Sequence, residues 1–204
     1  MRKYAVFVLV SIAGILPGLA IAHTGHGDAA GGLLAGLLHP VSGLDHIAAM
    51  VALGIWVAQL GAPAIWLLPI AFPLVVALGG ALGALGVPVP GVEVGIALSA
   101  ITFGLMIALS VRAPRRIATS ALLGLLVAAF AIFHGYAHGA EIPESANAMS
   151  YAVGFVLATG LLHALGIVLG VAKRWAAGAA ALRITGFSIA LFGVYVLIPN
   201  FAIV

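Results

Sequence analysis

The 204 residues of this chain are enough for one domain, and their composition excludes most classes of protein. Hydrophobic residues make up 64% of the chain, and Asp, Glu, Lys and Arg together only 6%. Soluble domains contain about 25% charged residues, so this chain cannot cover a surface in water. The net charge of +3 is the balance of 8 basic and 5 acidic side chains, which is not the basic surface of a nucleic-acid-binding protein. Because there is no cysteine, disulfides, iron–sulfur clusters and cysteine-ligated zinc are also excluded.

These features predict an all-α, polytopic membrane protein in a lipid bilayer. The chain begins with the pattern of an export signal: two basic residues, an apolar segment up to Leu16, and an A-x-A sequence that ends at Ala22. We therefore predict a cleaved signal peptide over 1–22 and a transmembrane domain over 23–204. The mature N-terminus would lie in the periplasm, with the chain in the bacterial inner membrane.

Prolines and charged residues divide the remaining chain into six apolar segments, each of the roughly 20 residues needed to cross a bilayer. The predicted transmembrane helices are Pro40–Leu60, Ala64–Leu85, Val92–Val111, Ile117–His138, Ala148–Val171 and Gly178–Pro199. Residues 31–39 are too few to span a bilayer, and we predict a half-turn or re-entrant lead-in there. Gly-x-x-x-Gly stripes that begin at Gly79, Gly135 and Gly166 predict close contacts between helices.

The charges in the loops indicate the same orientation as the export signal. With the N-terminus in the periplasm, the loops 112–116 and 172–177 lie in the cytoplasm, and the loop 139–147 lies in the periplasm. All Lys and Arg residues of the mature chain then fall on the cytoplasmic side, as the positive-inside rule expects.

A first cluster of polar residues lies at the periplasmic end of the first predicted helix. His39 and His46 are seven residues apart, which predicts a shared helix face, and Met50 follows four residues later. Asp45 is suited to hold a ring nitrogen of a neighbouring histidine, or to bind a metal itself. The alternative is a polar helix start that is capped by the aspartate.

A second cluster lies at the periplasmic end of the fourth predicted helix. His134 and His138 have the i, i+4 spacing that directs two imidazoles at one metal ion. Glu141 follows three residues later and stays on that face if the helix continues. Histidines that reach towards the lipid headgroups are the alternative interpretation.

Other polar residues fit a path or a capture site less specifically. His163 lies deep in the fifth predicted helix. It could form a hydrogen bond to another helix, or it could be a second metal-binding position on an inward path. Glu93, at the outer end of the third helix, either complements the helix dipole or binds metal. His23 and His26 open the mature chain and could form a metal-capture tail.

The segments from His39 to Met50 (HPVSGLDHIAAM) and from Phe133 to Glu141 (FHGYAHGAE) resemble the two signature segments of the HupE/UreJ family. With the six-span layout, the resemblance covers nearly the whole chain. It implies not an enzyme but an inner-membrane permease that moves a divalent metal, usually Ni²⁺, into the cytoplasm, with an indirect link to nickel hydrogenase or urease maturation. The metal residues that it implies are His39, Asp45, His46, His134, His138 and Glu141.

The side-chain chemistry agrees with this implication. Imidazole and carboxylate ligands suit Ni²⁺, Co²⁺, Zn²⁺ and Cu²⁺ and disfavour Ca²⁺ and Mg²⁺, and Met50 adds a thioether. We expect the metal as transported substrate and no fixed cofactor. No Walker motif is present, and an inward membrane potential favours a divalent cation by about 4–5 kcal/mol per 100 mV.

Two other classes of function fit the same residues. A membrane-embedded zinc hydrolase would need a metal-bound water, and Ser42, Asp45 and the His134–His138 pair could supply its site. A membrane partner that binds metal without transporting it is the other alternative.

Overall fold

The computed structural model describes residues 29–111, 117–142 and 146–201. Within these ranges the chain is helical and contains no strand. The helices are α1 (Ala29–Leu38), α2 (Leu44–Leu60), α3 (Ala64–Ala84), α4 (Val92–Ala108), α5 (Ile117–Ala140), α6 (Ala148–Gly170) and α7 (Ala176–Leu197). Short 3₁₀ helices cover His39–Val41, Val171–Arg174 and Ile198–Phe201. The predicted all-α fold is confirmed, whereas the predicted signal peptide, His23 and His26 lie outside the described residues.

Four helical segments in the described ranges are long and apolar enough to cross a membrane: α3, Ala121–Ala140 of α5, Ala148–Arg174, and α7. A fifth is formed if the segments Gly31–Val41 and Leu44–Leu60, which meet at 78°, count as one broken span. Leucine side chains on the outer faces of these helices are exposed, for example Leu74, Leu161 and Leu191. A lipid environment removes the cost that such a surface would have in water. The chain is therefore a polytopic membrane protein.

The prediction of one continuous first helix over Pro40–Leu60 is wrong. The 3₁₀ turn ends at Val41, and α2 begins at Leu44 after Gly43 adopts an extended conformation (φ −105°, ψ 124°). Both the backbone N–H and the hydroxyl of Ser42 donate to the carbonyl of His39, at 3.1 and 2.7 Å. Such local hydrogen bonds compete with the helix ladder, and they close the turn instead. The two histidines of this segment therefore do not share one helix face.

The helices pack as pairs around a buried centre. The most extensive helix contacts are between α3 and α5, between α4 and α7, and between α2 and α6, while α1 lies along α6. Helix α2 also contacts α4 and supplies much of the apolar core, with Leu53 and Trp56 buried beside Phe72 and Phe103. This arrangement places the start of α2 near the end of α5, which are the two segments with clustered histidines.

The glycine stripes bring two of these pairs into close contact, as predicted. A Cβ atom on Gly139 would collide with the backbone of Gly80, and one on Gly166 with the backbone of Val51 and Gly54. Helix α5 thus lies directly against α3, and α6 lies directly against α2. Since His138 directly precedes Gly139 on α5, this contact also fixes where the imidazole lies in the bundle.

Candidate metal site

A polar cavity of about 230 Å³ opens where α2 and α4 begin and α5 ends. Its lining is His39, Ser42, Gly43, Asp45, His46, Glu93, Ala137, His138 and Glu141. Both sequence clusters therefore contribute to one cavity, and Glu93 joins them from a third helix. Such convergence of imidazoles and carboxylates from distant parts of a chain is typical of metal sites.

The more exposed part of this cavity contains His39, His138 and Glu141, which we call the outer group. Nε2 of His39 lies 3.1 Å from Oε2 of Glu141, and the ring centroids of His39 and His138 are 4.6 Å apart. These three residues offer ligand atoms that all lie within 4.8 Å of one another. Helix α5 ends at Ala140, but the N–H of Glu141 still donates to the carbonyl of His138 at 3.3 Å. The carboxylate therefore stays beside the imidazole although the helix does not continue.

Asp45 lies against the next imidazole inward. Its Oδ1 atom is 3.1 Å from Nδ1 of His46, a contact that orients the ring and leaves Nε2 as the free nitrogen. A Cβ atom on Gly43 would meet both Asp45 Oδ1 and His46 Nδ1, so glycine gives this pair its space. The His46 ring lies 4.1 Å from that of His138 and 4.9 Å from that of His134, measured between centroids. His46 therefore connects the outer group to the deeper imidazole.

His134 is completely buried and meets a residue that the sequence analysis did not single out. Its Nε2 atom lies 2.8 Å from Oγ of Ser99, a buried serine on α4. The residue is one of two hydroxyl-bearing residues in a largely apolar helix, with Thr102, and the sequence gives no signal that it faces α5. We call His46 and His134 the inner pair.

Several buried ring nitrogens of the cluster have no hydrogen-bond partner among the described residues. They are Nε2 of His46, Nδ1 of His134 and Nδ1 of His138. Buried polar groups are hydrogen-bonded in the great majority of proteins, and each unpaired one costs about 1–3 kcal/mol. Three unpaired nitrogens in neighbouring rings thus favour a cluster that binds another species.

His163 lies deeper, on α6, and is also completely buried. Neither of its ring nitrogens has a partner in the described structure, so the predicted alternative of a helix–helix hydrogen bond is not formed there. The hydroxyl of Thr159, one turn earlier, is likewise buried and unpaired. The Phe72 ring lies edge-on to His163, with centroids 5.2 Å apart, and 6.3 Å from His134. Phe72 was not singled out from the sequence, because one phenylalanine in an apolar helix gives no signal.

The remaining sequence candidate within the described ranges is Met50. Its side chain is buried in the apolar core on α2 and is not among the residues that line the cavity. Its spacing from His46 therefore reflects core packing in this structure.

Comparison with known proteins gives one consistent result. The family model described as HupE / UreJ protein matches residues 10–196. Protein HupE of Rhizobium leguminosarum bv. viciae is 44% identical over 197 residues, which cover 96% of this chain and 99% of that protein. No solved structure gives a significant match. The two histidine segments and the match over nearly the whole length agree, and the chain belongs to the HupE/UreJ family.

Proposed function

We propose that this protein is a secondary permease that moves a divalent transition metal, with Ni²⁺ as the expected substrate, from the periplasm to the cytoplasm. The observation that carries the proposal is the convergence of four histidines and three carboxylates at one end of the bundle, with unpaired ring nitrogens in its interior. Neutral imidazole and carboxylate form a donor set that suits late divalent metals. Membership of the HupE/UreJ family supports the same function.

The exposure of these side chains falls step by step along the proposed path. The side chain of Glu141 is 66% exposed and that of His39 is 21% exposed, whereas His134 and His163 are 0% exposed. A metal ion would first meet the outer group, pass to the inner pair, and then reach His163 beyond the Phe72 ring. Imidazoles follow one another from the outer group to the inner pair, so the ion would keep nitrogen ligands over that part of the path.

The membrane itself supplies the driving force in this proposal. An inward potential favours a divalent cation by about 4–5 kcal/mol per 100 mV, which is enough for net uptake without ATP. We assign the six crossings to α2–α7, with α1 as a lead-in beside α6. Helices α2 and α4 have 17 residues each and rise about 25 Å, so the bilayer would thin slightly around them.

The proposal is tested by metal-resolved uptake into proteoliposomes. Reconstituted protein is given Ni²⁺, Co²⁺, Zn²⁺ and Cu²⁺ separately under an inside-negative potential, and the same metals are titrated by calorimetry. We expect saturable, potential-dependent uptake of Ni²⁺, and its loss together with Ni²⁺ binding in His46→Ala and His134→Ala. Ser188→Ala, at an exposed position of α7, is the matched control.

Three results would contradict the proposal. If none of the four metals entered the proteoliposomes faster than it enters empty liposomes, the protein would bind metal without transporting it. Binding and uptake at parental levels in both histidine variants would show that the metal does not use this cluster. A tightly held zinc ion that does not exchange would instead favour a hydrolase.

A further inference from the structure

We propose that Ser99 is a positioning residue that fixes the tautomer of His134 and so leaves Nδ1 as its metal-binding atom. The inference rests on the proposed function, in which His134 contributes to the inner pair. It concerns the proton on the imidazole ring, which neither the family match nor the sequence pattern addresses.

The hydroxyl oxygen of Ser99 has two neighbours within hydrogen-bond distance. Oγ of Ser99 lies 2.7 Å from the carbonyl oxygen of Ile96 and 2.8 Å from Nε2 of His134. A hydroxyl has one hydrogen to donate, and a carbonyl can only accept. Both contacts are hydrogen bonds only if the serine donates to Ile96 and Nε2–H of His134 donates to the serine.

The reverse network would make fewer hydrogen bonds. If Ser99 donated to Nε2 instead, the hydrogen bond to Ile96 would be lost and the ring proton would move to Nδ1. That atom is buried and has no acceptor within the described residues, so the N–H would be unpaired at a cost of about 1–3 kcal/mol. The arrangement with the proton on Nε2 makes two hydrogen bonds, and the reverse makes one. The geometry therefore leaves a lone pair on Nδ1 of His134.

The neighbouring ring of His46 also has one fixed proton and one free nitrogen. Asp45 accepts from Nδ1 of His46, which leaves the lone pair of that residue on Nε2. In the inner pair, Nε2 of His46 and Nδ1 of His134 therefore each keep a free lone pair, and the centroids of the two rings are 4.9 Å apart. A neutral hydroxyl raises the basicity of a ring less than a carboxylate does. His134 should therefore bind metal more weakly than His46, which suits the ligand that passes the ion inward.

The test reads the tautomer directly in the full chain. The protein is labelled with ¹⁵N-histidine, reconstituted in lipid nanodiscs without metal, and the ring nitrogens of His134 are assigned by comparison with His134→Ala. We expect Nε2–H and a bare Nδ1 in the parent and in Ser99→Thr, which keeps the hydroxyl. In Ser99→Ala we expect a loss of this single tautomer. Ni²⁺ affinity by calorimetry should then fall by about 10–100-fold in Ser99→Ala and stay near the parental value in Ser99→Thr.

The controls separate this inference from the proposed function. A parent spectrum with the proton on Nδ1 overturns the inference, and that readout involves no metal. Parental Ni²⁺ affinity in Ser99→Ala together with lost binding in His134→Ala also overturns it, while the proposed site stands. Parental binding in His134→Ala overturns the proposed site, whereas the tautomer assignment is decided by its own spectrum. Thermal unfolding beside Ser188→Ala verifies that Ser99→Ala is folded.

Discussion

Nε2 of His39 and Oε2 of Glu141 lie 3.1 Å apart although 102 residues separate them in the chain. The contact joins the turn before α2 to the turn after α5, so it connects the two histidine clusters across the mouth of the cavity. Neither residue lies inside a regular α-helix. Their meeting is therefore a product of packing between segments and of the bend that ends α1.

This pair should act as one unit in metal capture. We expect His39→Ala and Glu141→Gln each to weaken Ni²⁺ binding, and the double variant to be only slightly weaker than either single one. The physical reason is that each change removes one ligand of the same outer group. The measurement is a double-mutant cycle by calorimetry, and strictly additive losses would show that the two residues bind independently.

Asp45 should affect affinity through His46. We expect Asp45→Asn to lower Ni²⁺ affinity by about 10–100-fold, because the amide keeps the shape but loses the charge that orients the ring and offsets the cation. The Ni²⁺ affinity of Asp45→Ala should be lower still. Equal affinities for Asn, Ala and the parent would mean that the carboxylate only shapes the turn.

His163 should separate binding from transport. We expect His163→Ala to bind Ni²⁺ as the parent does, since the residue lies inward of the cluster, and to take it up several-fold more slowly. The comparison is calorimetry against initial radiometal uptake in the same preparation. Uptake at the parental rate would remove His163 from the path and leave its unpaired nitrogens as a packing feature.

Two glycines of α6 test the close helix contact. A Cβ atom on Gly166 would collide with the backbone of α2, whereas one on Gly160 meets nothing within 4 Å. We expect Gly166→Ala to destabilise the fold by about 1–3 kcal/mol through overpacking. Gly160→Ala should be neutral or slightly stabilising because alanine favours a helix. Thermal unfolding in detergent measures both, and equal melting temperatures would contradict the contact.

Reporter fusions test the proposed orientation. A fusion after Arg115 should read as cytoplasmic and one after Ser145 as periplasmic, because the first loop is basic and the second contains the acidic residues. Alkaline phosphatase and green fluorescent protein, which are active on opposite sides, measure this. Reversed activities would place the cavity on the cytoplasmic side and would reverse the proposed direction of uptake.

The class of the protein could be predicted from composition, because a chain with 6% charged residues cannot form a stable water-exposed surface and needs a bilayer around it. The His134–His138 spacing was equally informative, since residues four apart on a continuous helix share a face whatever surrounds it. The same reasoning failed between His39 and His46. Ser42 and Gly43 lie between them, and their local hydrogen bonds and extended backbone end the regular helix there.

The sequence by itself determined which groups were available and at which end of each helix they lie, because helix geometry and the cost of burying polar groups act within one segment. Only the tertiary structure decided which groups meet. The contact of His39 with Glu141, the contact of Ser99 with His134, and the place of Phe72 beside His163 depend on how helices pack. Spacing along a chain fixes a direction around one helix axis, but the distance between two helices is set by the glycines and side chains at their contact.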